Sequence, residues 1–201
     1  MRNAFRYTRF DDEDGKVFIF ADSLAEDNRT LNRVFYSGSG YGNNYYLDTD
    51  LLGTFNTGGI EHQLLAGFSL NRNTSDTKAR TGDAQPVDIF DPVYDQTVDL
   101  TEPLTDDSLT TRDTLGIYLQ DQITIAENLK FLLGGRVDFF EETKDDRLIN
   151  EETNQSDTAF SPRVGIVYQP IAPISLYASY ARSFAPTIGR AAGGDILRPE
   201  H

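Results

Sequence analysis

The chain has no cysteine and no tryptophan, and only one methionine and two histidines among 201 residues. Without cysteine there is neither a disulfide framework nor a thiolate metal site. No apolar run approaches the roughly 18–20 residues that a membrane helix needs. Basic residues are also scarce, with 18 Lys and Arg against 32 Asp and Glu and a net charge of −14. Phosphates would be repelled by such a chain, so nucleic acid is excluded as an expected partner. The hydrophobic fraction of 38% is lean for a packed core. Aromatic residues nevertheless reach 11%, with 13 Phe and 10 Tyr, too many for a disordered chain. A basic stretch, an apolar block and a small-residue cleavage site are missing from the start, so no secretory signal is expected there.

What is present is period-two alternation, with almost no helical period. Leu115, Ile117, Leu119, Ile123 and Ile125 share one face, opposite Gly116, Tyr118, Gln120, Gln122 and Thr124. Leu129, Phe131, Leu133, Val137 and Phe139 oppose Lys130, Gly134, Arg136 and Asp138. Val164, Ile166 and Tyr168 oppose Ser161, Arg163, Gly165 and Gln169. Leu64, Ala66, Phe68 and Leu70 oppose Gln63, Gly67, Ser69 and Asn71, and Tyr45, Leu47, Leu51 and Phe55 oppose Asp48, Asp50 and Thr54. Seven strands are expected, near 2–9 (extending towards 20), 31–55 with a break, 60–72, 113–125, 129–140, 159–169 and 174–184. Tyr177 and Tyr180 fall on opposite faces of the last, and Asp121 and Arg182 sit in the apolar phase. Periodicity explains neither of these two.

The links alternate in length. Asn56-Thr57-Gly58-Gly59, Ala126-Glu127-Asn128 and Pro170-Ile171-Ala172-Pro173 are short turns. Between them lie polar stretches at 73–112, at 141–158 and after Ala185, expected as long loops. Residues 73–113 and 141–158 carry 17 of the 32 acids, so the negative charge belongs mainly to these loops, where it serves solubility. Alternating short turns and long loops fit an antiparallel outer-membrane barrel, with a wet polar interior and an apolar face towards lipid. Gly134 with Arg136, and Gly165 with Arg163, suit an interior that must fit something inside it. A half-buried sheet in a soluble protein shows the same two faces, so a β-sandwich stays open at this point.

No catalytic or metal constellation emerges. Gly38-Ser39-Gly40-Tyr41-Gly42 precedes no helix and predicts a turn or strand distortion rather than a phosphate cradle. Asp11-Asp12-Glu13-Asp14-Gly15 lacks the spacing of a calcium loop and reads as solvated loop. His62 and His201 are far apart, and a structural hydrogen bond is the expected role of His62, at a strand start beside a turn. No Gly-x-Ser-x-Gly elbow occurs, and no pair of carboxylates stands out for glycoside chemistry.

Gly116-Ile117-Tyr118-Leu119-Gln120-Asp121-Gln122, Asn128-Leu129-Lys130 and Gly134-Gly135-Arg136-Val137-Asp138 together resemble the barrel of TonB-dependent siderophore receptors. So do the stretches from Phe160 to Pro170 and from Ser175 to Pro186. Asp27-Asn28-Arg29-Thr30-Leu31, Phe55-Asn56-Thr57-Gly58 and the run from His62 to Gly67 are similar to the same family's preceding hairpin. Each fragment is weak alone; their order and spacing are specific.

The resemblance implies an all-β fold, an antiparallel meander of about seven strands from a large transmembrane β-barrel. It places Asp121 at the family's usual aspartate after Tyr-x-Gln. It implies that residues 1–201 are a partial barrel domain without the plug, and that Arg198-Pro199-Glu200 leads into a further strand. The implied function is that of a fragment of an outer-membrane receptor for ferric siderophore uptake, not an enzyme and without a cofactor. Ferric siderophore, outer-membrane lipid and the TonB complex, reached through a missing segment, are the implied partners. The seven strands alone are expected to transport nothing. No ligand-contacting residue follows from the resemblance, and the Tyr, Arg and Asp residues of 73–113 are the place to look. Two other readings remain beside it: a soluble secreted β-sandwich for binding or adhesion, and a small structural outer-membrane barrel.

Overall fold

The computed structural model describes residues 1–93 and 97–183. Seven strands form a single open antiparallel sheet in sequence order: β1 (Arg2–Leu24), β2 (Thr30–Thr57), β3 (Ile60–Asp88), β4 (Asp106–Ala126), β5 (Leu129–Asp146), β6 (Glu151–Ile171) and β7 (Ile174–Ala181). Among the described residues no second sheet packs on this one, which removes the β-sandwich reading. Nor do β1 and β7 pair, so the small closed barrel is not formed. Phe184, the stretch from Ala185 and the lead-in at Arg198 lie outside the described residues.

Pairing in register extends each strand's alternation across the sheet, because directly opposed residues share a face. One row runs Leu51–Ala66–Leu119–Gly135–Pro162, and the next Thr49–Phe68–Ile117–Val137–Phe160. All lie on the apolar face. The rows Asp50–Gly67–Tyr118–Arg136–Ser161 and Asp48–Ser69–Gly116–Asp138–Ala159 lie on the polar face. The apolar face stands open: Leu51, Ile117, Leu119 and Phe160 are each more than half exposed. Ser69, Asp138 and Ala159 on the polar face are buried. Greasy residues outside and polar residues inside invert the arrangement of a water-soluble half-buried sheet. From Leu115 to Ile125 the apolar face covers about 33 Å of strand, which a tilt of about 40° turns into a belt about 25 Å high.

The strands are longer than the alternation predicts. Residues 73–88 and 106–112, expected in a loop, continue β3 and β4, and 141–146 and 151–158 continue β5 and β6. Of these two stretches, the described residues outside strands are 89–93, 97–105 and 147–150. Alternation marks a strand only where its two faces meet different solvents. Above the belt both faces meet water, so threonine-rich, two-sided polar strands show no period. β2 likewise runs without the expected break. The irregularity lies on its partner, where Asp12 to Lys16 of β1 span the two-residue step from Gly40 to Gly38. The acidic tract expected as a loop is thus a bulge within β1, and the glycine tract is regular strand.

All three short turns lie at one end. Gly58, with φ of +64°, supplies the left-handed residue of the β2–β3 turn. At the other end β1 joins β2 through an Asx turn. Asp27 accepts hydrogen bonds from the Arg29 amide (2.9 Å), the Thr30 amide (2.8 Å) and the Thr30 hydroxyl (2.6 Å), with Asn28 at φ 52°. The loop at 97–105 folds back over β3: the Thr105 amide donates to the Ala79 carbonyl (2.8 Å) and Arg80 Nε to the Glu102 carbonyl (2.9 Å). Phe35 is buried in this region beside Gly82, with Ala79, Ala84 and Val87 the other buried apolar residues of the distal hairpin.

Those hydrogen bonds, that from the Thr30 hydroxyl foremost, lower the Asp27 carboxyl from 3.8 to about 2. A lowered carboxylate pKa stabilises the turn fully above pH about 4, and that stability is lost as pH falls towards 2. Protection of the Thr30 amide from exchange is therefore expected to fall between pH 4 and 2. Asp27→Asn is expected to abolish that pH dependence. A pH-independent Thr30 amide in the parent chain contradicts the account.

Candidate functional site on the polar face

At the height of the apolar belt the polar face carries a connected network. Tyr118 of β4 lies across Gly67, which its row places directly opposite, and its hydroxyl donates to Asp50 and stands 3.3 Å from Asp48. Arg2 reaches the same two carboxylates from β1, at 2.9 Å and 3.4 Å. The Arg136 guanidinium lies over the Tyr118 ring, 5.6 Å from its centre. It donates to Asp138 (2.7 Å) and Ser69 (2.8 Å) while covering Gly116. Two glycines thus make room for two large side chains, since a Cβ on Gly67 would lie 2.5 Å from the Tyr118 ring. Higher up the wall, Arg112 pairs with Glu142. The hollow over β4 to β7 measures about 830 Å³ and is lined by Tyr118, Gln120, Arg136, Ser161, Arg163 and Ser179, among others.

Beyond the belt several Asp and Arg residues of 73–113 are bound to groups of neighbouring strands and turns. Asp76 and Asp107 hold Arg147 of the β5–β6 turn at 2.9 Å and 3.1 Å, and the Asp76 hydrogen bonds push its guanidinium pKa further up. Asp113 takes Arg72 through two bonds of 2.7 Å, and Asp88 takes Arg29 at 2.5 Å. Asp88 and Asp99 accept the backbone amides of Phe90 and Thr101, which lower their carboxyl pKa values. Tyr94 lies outside the described residues. These side chains tie the hairpins together. The interior network, missed in the sequence, comes from residues dispersed over five strands.

His62 does make the expected structural hydrogen bond. Its Nδ1 lies 2.7 Å from Asp121 Oδ2, and Phe55 stacks on the imidazole with ring centres 4.7 Å apart. This accounts for the aspartate in the apolar phase: Asp121 faces outward and is bound by a neighbour in β3. Its other oxygen is buried without a partner. Among the described residues no three His, Cys, Asp or Glu side chains are grouped to hold a metal ion.

An apolar outside, a polar ion-paired inside, short turns at one end and tall hairpins at the other define the wall of an antiparallel transmembrane barrel. Residues 1–201 match the family model described as TonB dependent receptor-like, beta-barrel, and the chain belongs to that family. It is 33% identical over 170 residues to the Ferrioxamine B receptor of Salmonella typhimurium, covering 84% of this chain and 24% of that protein. Its identity with the metal-pseudopaline receptor of Pseudomonas aeruginosa is 30% over 190 residues, 89% of this chain and 26% of the relative. The chain therefore spans about a quarter of the length of these relatives, which are transport receptors rather than enzymes. The closed ferric-catecholate import receptor Fiu of Escherichia coli superposes with a TM-score of 0.76 at 18% identity, over 98% of this chain and 34% of that one. This likeness shows the shared fold.

Tyr118→Phe removes the donor held between two carboxylates and is expected to cost about 1–3 kcal/mol. Gly67→Ala, which also sets a methyl 2.6 Å from the Thr49 carbonyl, is expected to destabilise by a similar amount. Thermal unfolding in detergent measures both. On the opposite face Leu119→Arg is expected to cost about 2–4 kcal/mol in lipid, whereas Gln120→Arg next to it stays close to neutral.

Proposed function

We propose that residues 1–201 form one continuous stretch of the barrel wall in an outer-membrane receptor that takes up a ferric siderophore. The stretch belongs to the barrel domain and contributes nothing to the plug. The receptor's contact with the TonB complex is made by a different segment. The observation that carries the reading is the inverted sheet: a belt about 25 Å high facing lipid, backed by a polar interior wall. Hairpins rising well above that belt supply the height from which an external chelate is captured. Receptors for ferrioxamine B, for metal-pseudopaline and for ferrichrome among the relatives support a metal chelate as cargo.

In this scheme the wall does no covalent chemistry. Backbone hydrogen bonds are closed strand to strand, so hydrocarbon meets no free amide. At the belt most charged side chains point inward, where water and cargo pass, and several are paired, as Arg136 is with Asp138. Arg147 clamps the β5–β6 turn onto β3 and β4 and so holds the hairpins upright.

The test is deletion of the coding sequence for residues 1–201 in its host, grown under iron limitation. Uptake of radioactive iron is then measured from hydroxamate, catecholate and carboxylate chelates. One chelate is expected to lose most of its uptake, restored by the intact gene. Unchanged uptake of every chelate, with wild-type uptake intact, sinks the proposal. In the complemented strain Arg147→Ala is expected to speed amide exchange at 146–151, through the loss of about 1 kcal/mol, without touching the Gly58 turn.

A further inference from the structure

We infer that the β5–β7 part of the interior wall holds an anion seat centred on Arg163, which takes a carboxylate. The inference rests on the reading of the polar face as the inside of a receptor barrel. Arg2, Arg112 and Arg136 on that face are each ion-paired. Arg163 has no ion pair or hydrogen bond from its side chain among the described residues. It also stands in a clearing: Gly134 lies directly opposite in β5 and Ala181 in β7, and Ser161 and Gly165 flank it on the same face of β6. Ser179, opposite Gly165, adds a hydroxyl on the diagonal. Arg6, at the far edge of the sheet, also lacks an ion pair, but the bulky Tyr46 stands opposite it.

The hollow of about 830 Å³ opens over this clearing and is lined by Arg136, Arg163 and Arg182 with Ser161, Ser179 and Ser183. Of the three cations Arg136 is already bound by Asp138. Small and hydroxyl-bearing neighbours leave the Arg163 fork its full set of donors and the space to use them. A planar guanidinium with two parallel N–H groups matches a carboxylate through two hydrogen bonds, with serine hydroxyls to donate to its remaining lone pairs. The occupant of the seat gains these charge-assisted hydrogen bonds as binding energy. The carboxylate has two possible sources, an acidic side chain of a receptor segment seated inside the barrel, or the cargo chelate itself.

The experiment uses the receptor that carries this wall, purified in detergent as parent, Arg163→Gln and Arg163→Lys. Its melting temperature is measured without cargo, and its Kd for ferric citrate and for ferrioxamine B. A protein-borne carboxylate is expected to show as a fall of about 3 °C or more in the cargo-free Arg163→Gln variant. Arg163→Lys recovers only part of it, because the ammonium lacks the fork. A cargo-borne carboxylate shows as unchanged melting, with Kd for ferric citrate raised about tenfold and Kd for ferrioxamine B unmoved. Melting and both Kd values unchanged, or both chelates weakened equally, overturns the seat. If Arg163→Gln fails to fold, Ser179→Leu fills the clearing with the charge in place and is read by the same measurements. A parent receptor that binds neither chelate counts against the uptake proposal, and the melting comparison then decides the seat alone.

Discussion

The backbone ladder governs everything else in this molecule. In hydrocarbon an unpaired amide costs several kcal/mol, so a wall in contact with lipid must bond every strand to its neighbours. In-register antiparallel pairing from β1 to β7 meets that demand and has a second effect. It lines up the side chains of five or more strands into rows that all point the same way. Leu51, Ala66, Leu119, Gly135 and Pro162 become one apolar row without touching the chemistry of the row behind it. A shift of one residue in any pair would exchange lipid-facing leucines for interior carboxylates.

Charge on the inner face is organised by the same rows. Asp48 and Asp50 meet Arg2 and Tyr118, Arg136 meets Asp138, and Arg112 meets Glu142. The two Arg–carboxylate pairs are neutral, and the Asp48–Asp50–Arg2 group keeps one negative charge that the Tyr118 hydroxyl solvates, which lets ionised groups stand within the height of the membrane. Glycine does the spatial part of the work: Tyr118 and Arg136 can lie flat along the wall because Gly67 and Gly116 carry no side chain. Arg163 departs from the pattern, since glycine again clears space around it but no partner from the wall fills that space. On the outer face the same logic binds Asp121 to His62, the one place among the described residues where an acid turns towards lipid in the belt.

Above the belt the physical problem changes. Both faces are wet, so the hairpins are held by side-chain clamps rather than by a difference in solvent. Arg147 on Asp76 and Asp107, Arg72 on Asp113 and Asp27 on the Thr30 amide all serve this end. Much of the chain's acidity, a bulk property in the composition, is resolved here into specific contacts. The remainder keeps tall projections soluble.

The sequence by itself determined the strand count, the short turns and which residues share a face, because period-two alternation is written wherever two different surroundings lie on opposite sides; that the apolar face is the open one, and so a membrane belt, was decided by the structure. Phe160 to Tyr168 and Leu115 to Ile125 were legible from that alternation. It also contained the family motifs, though not the reason for Asp121. Only the tertiary structure decided the true length of β3 to β6, since residues wet on both faces carry no period to read. It alone placed the bulge on β1 rather than a break in β2. The interior network was beyond the sequence because its members, Arg2, Asp50, Gly67, Tyr118 and Arg136, lie on five strands and become neighbours only through register. Whether an arginine is paired or free, as Arg136 and Arg163 show, depends on what stands beside it on other strands, and one-dimensional order does not contain that information.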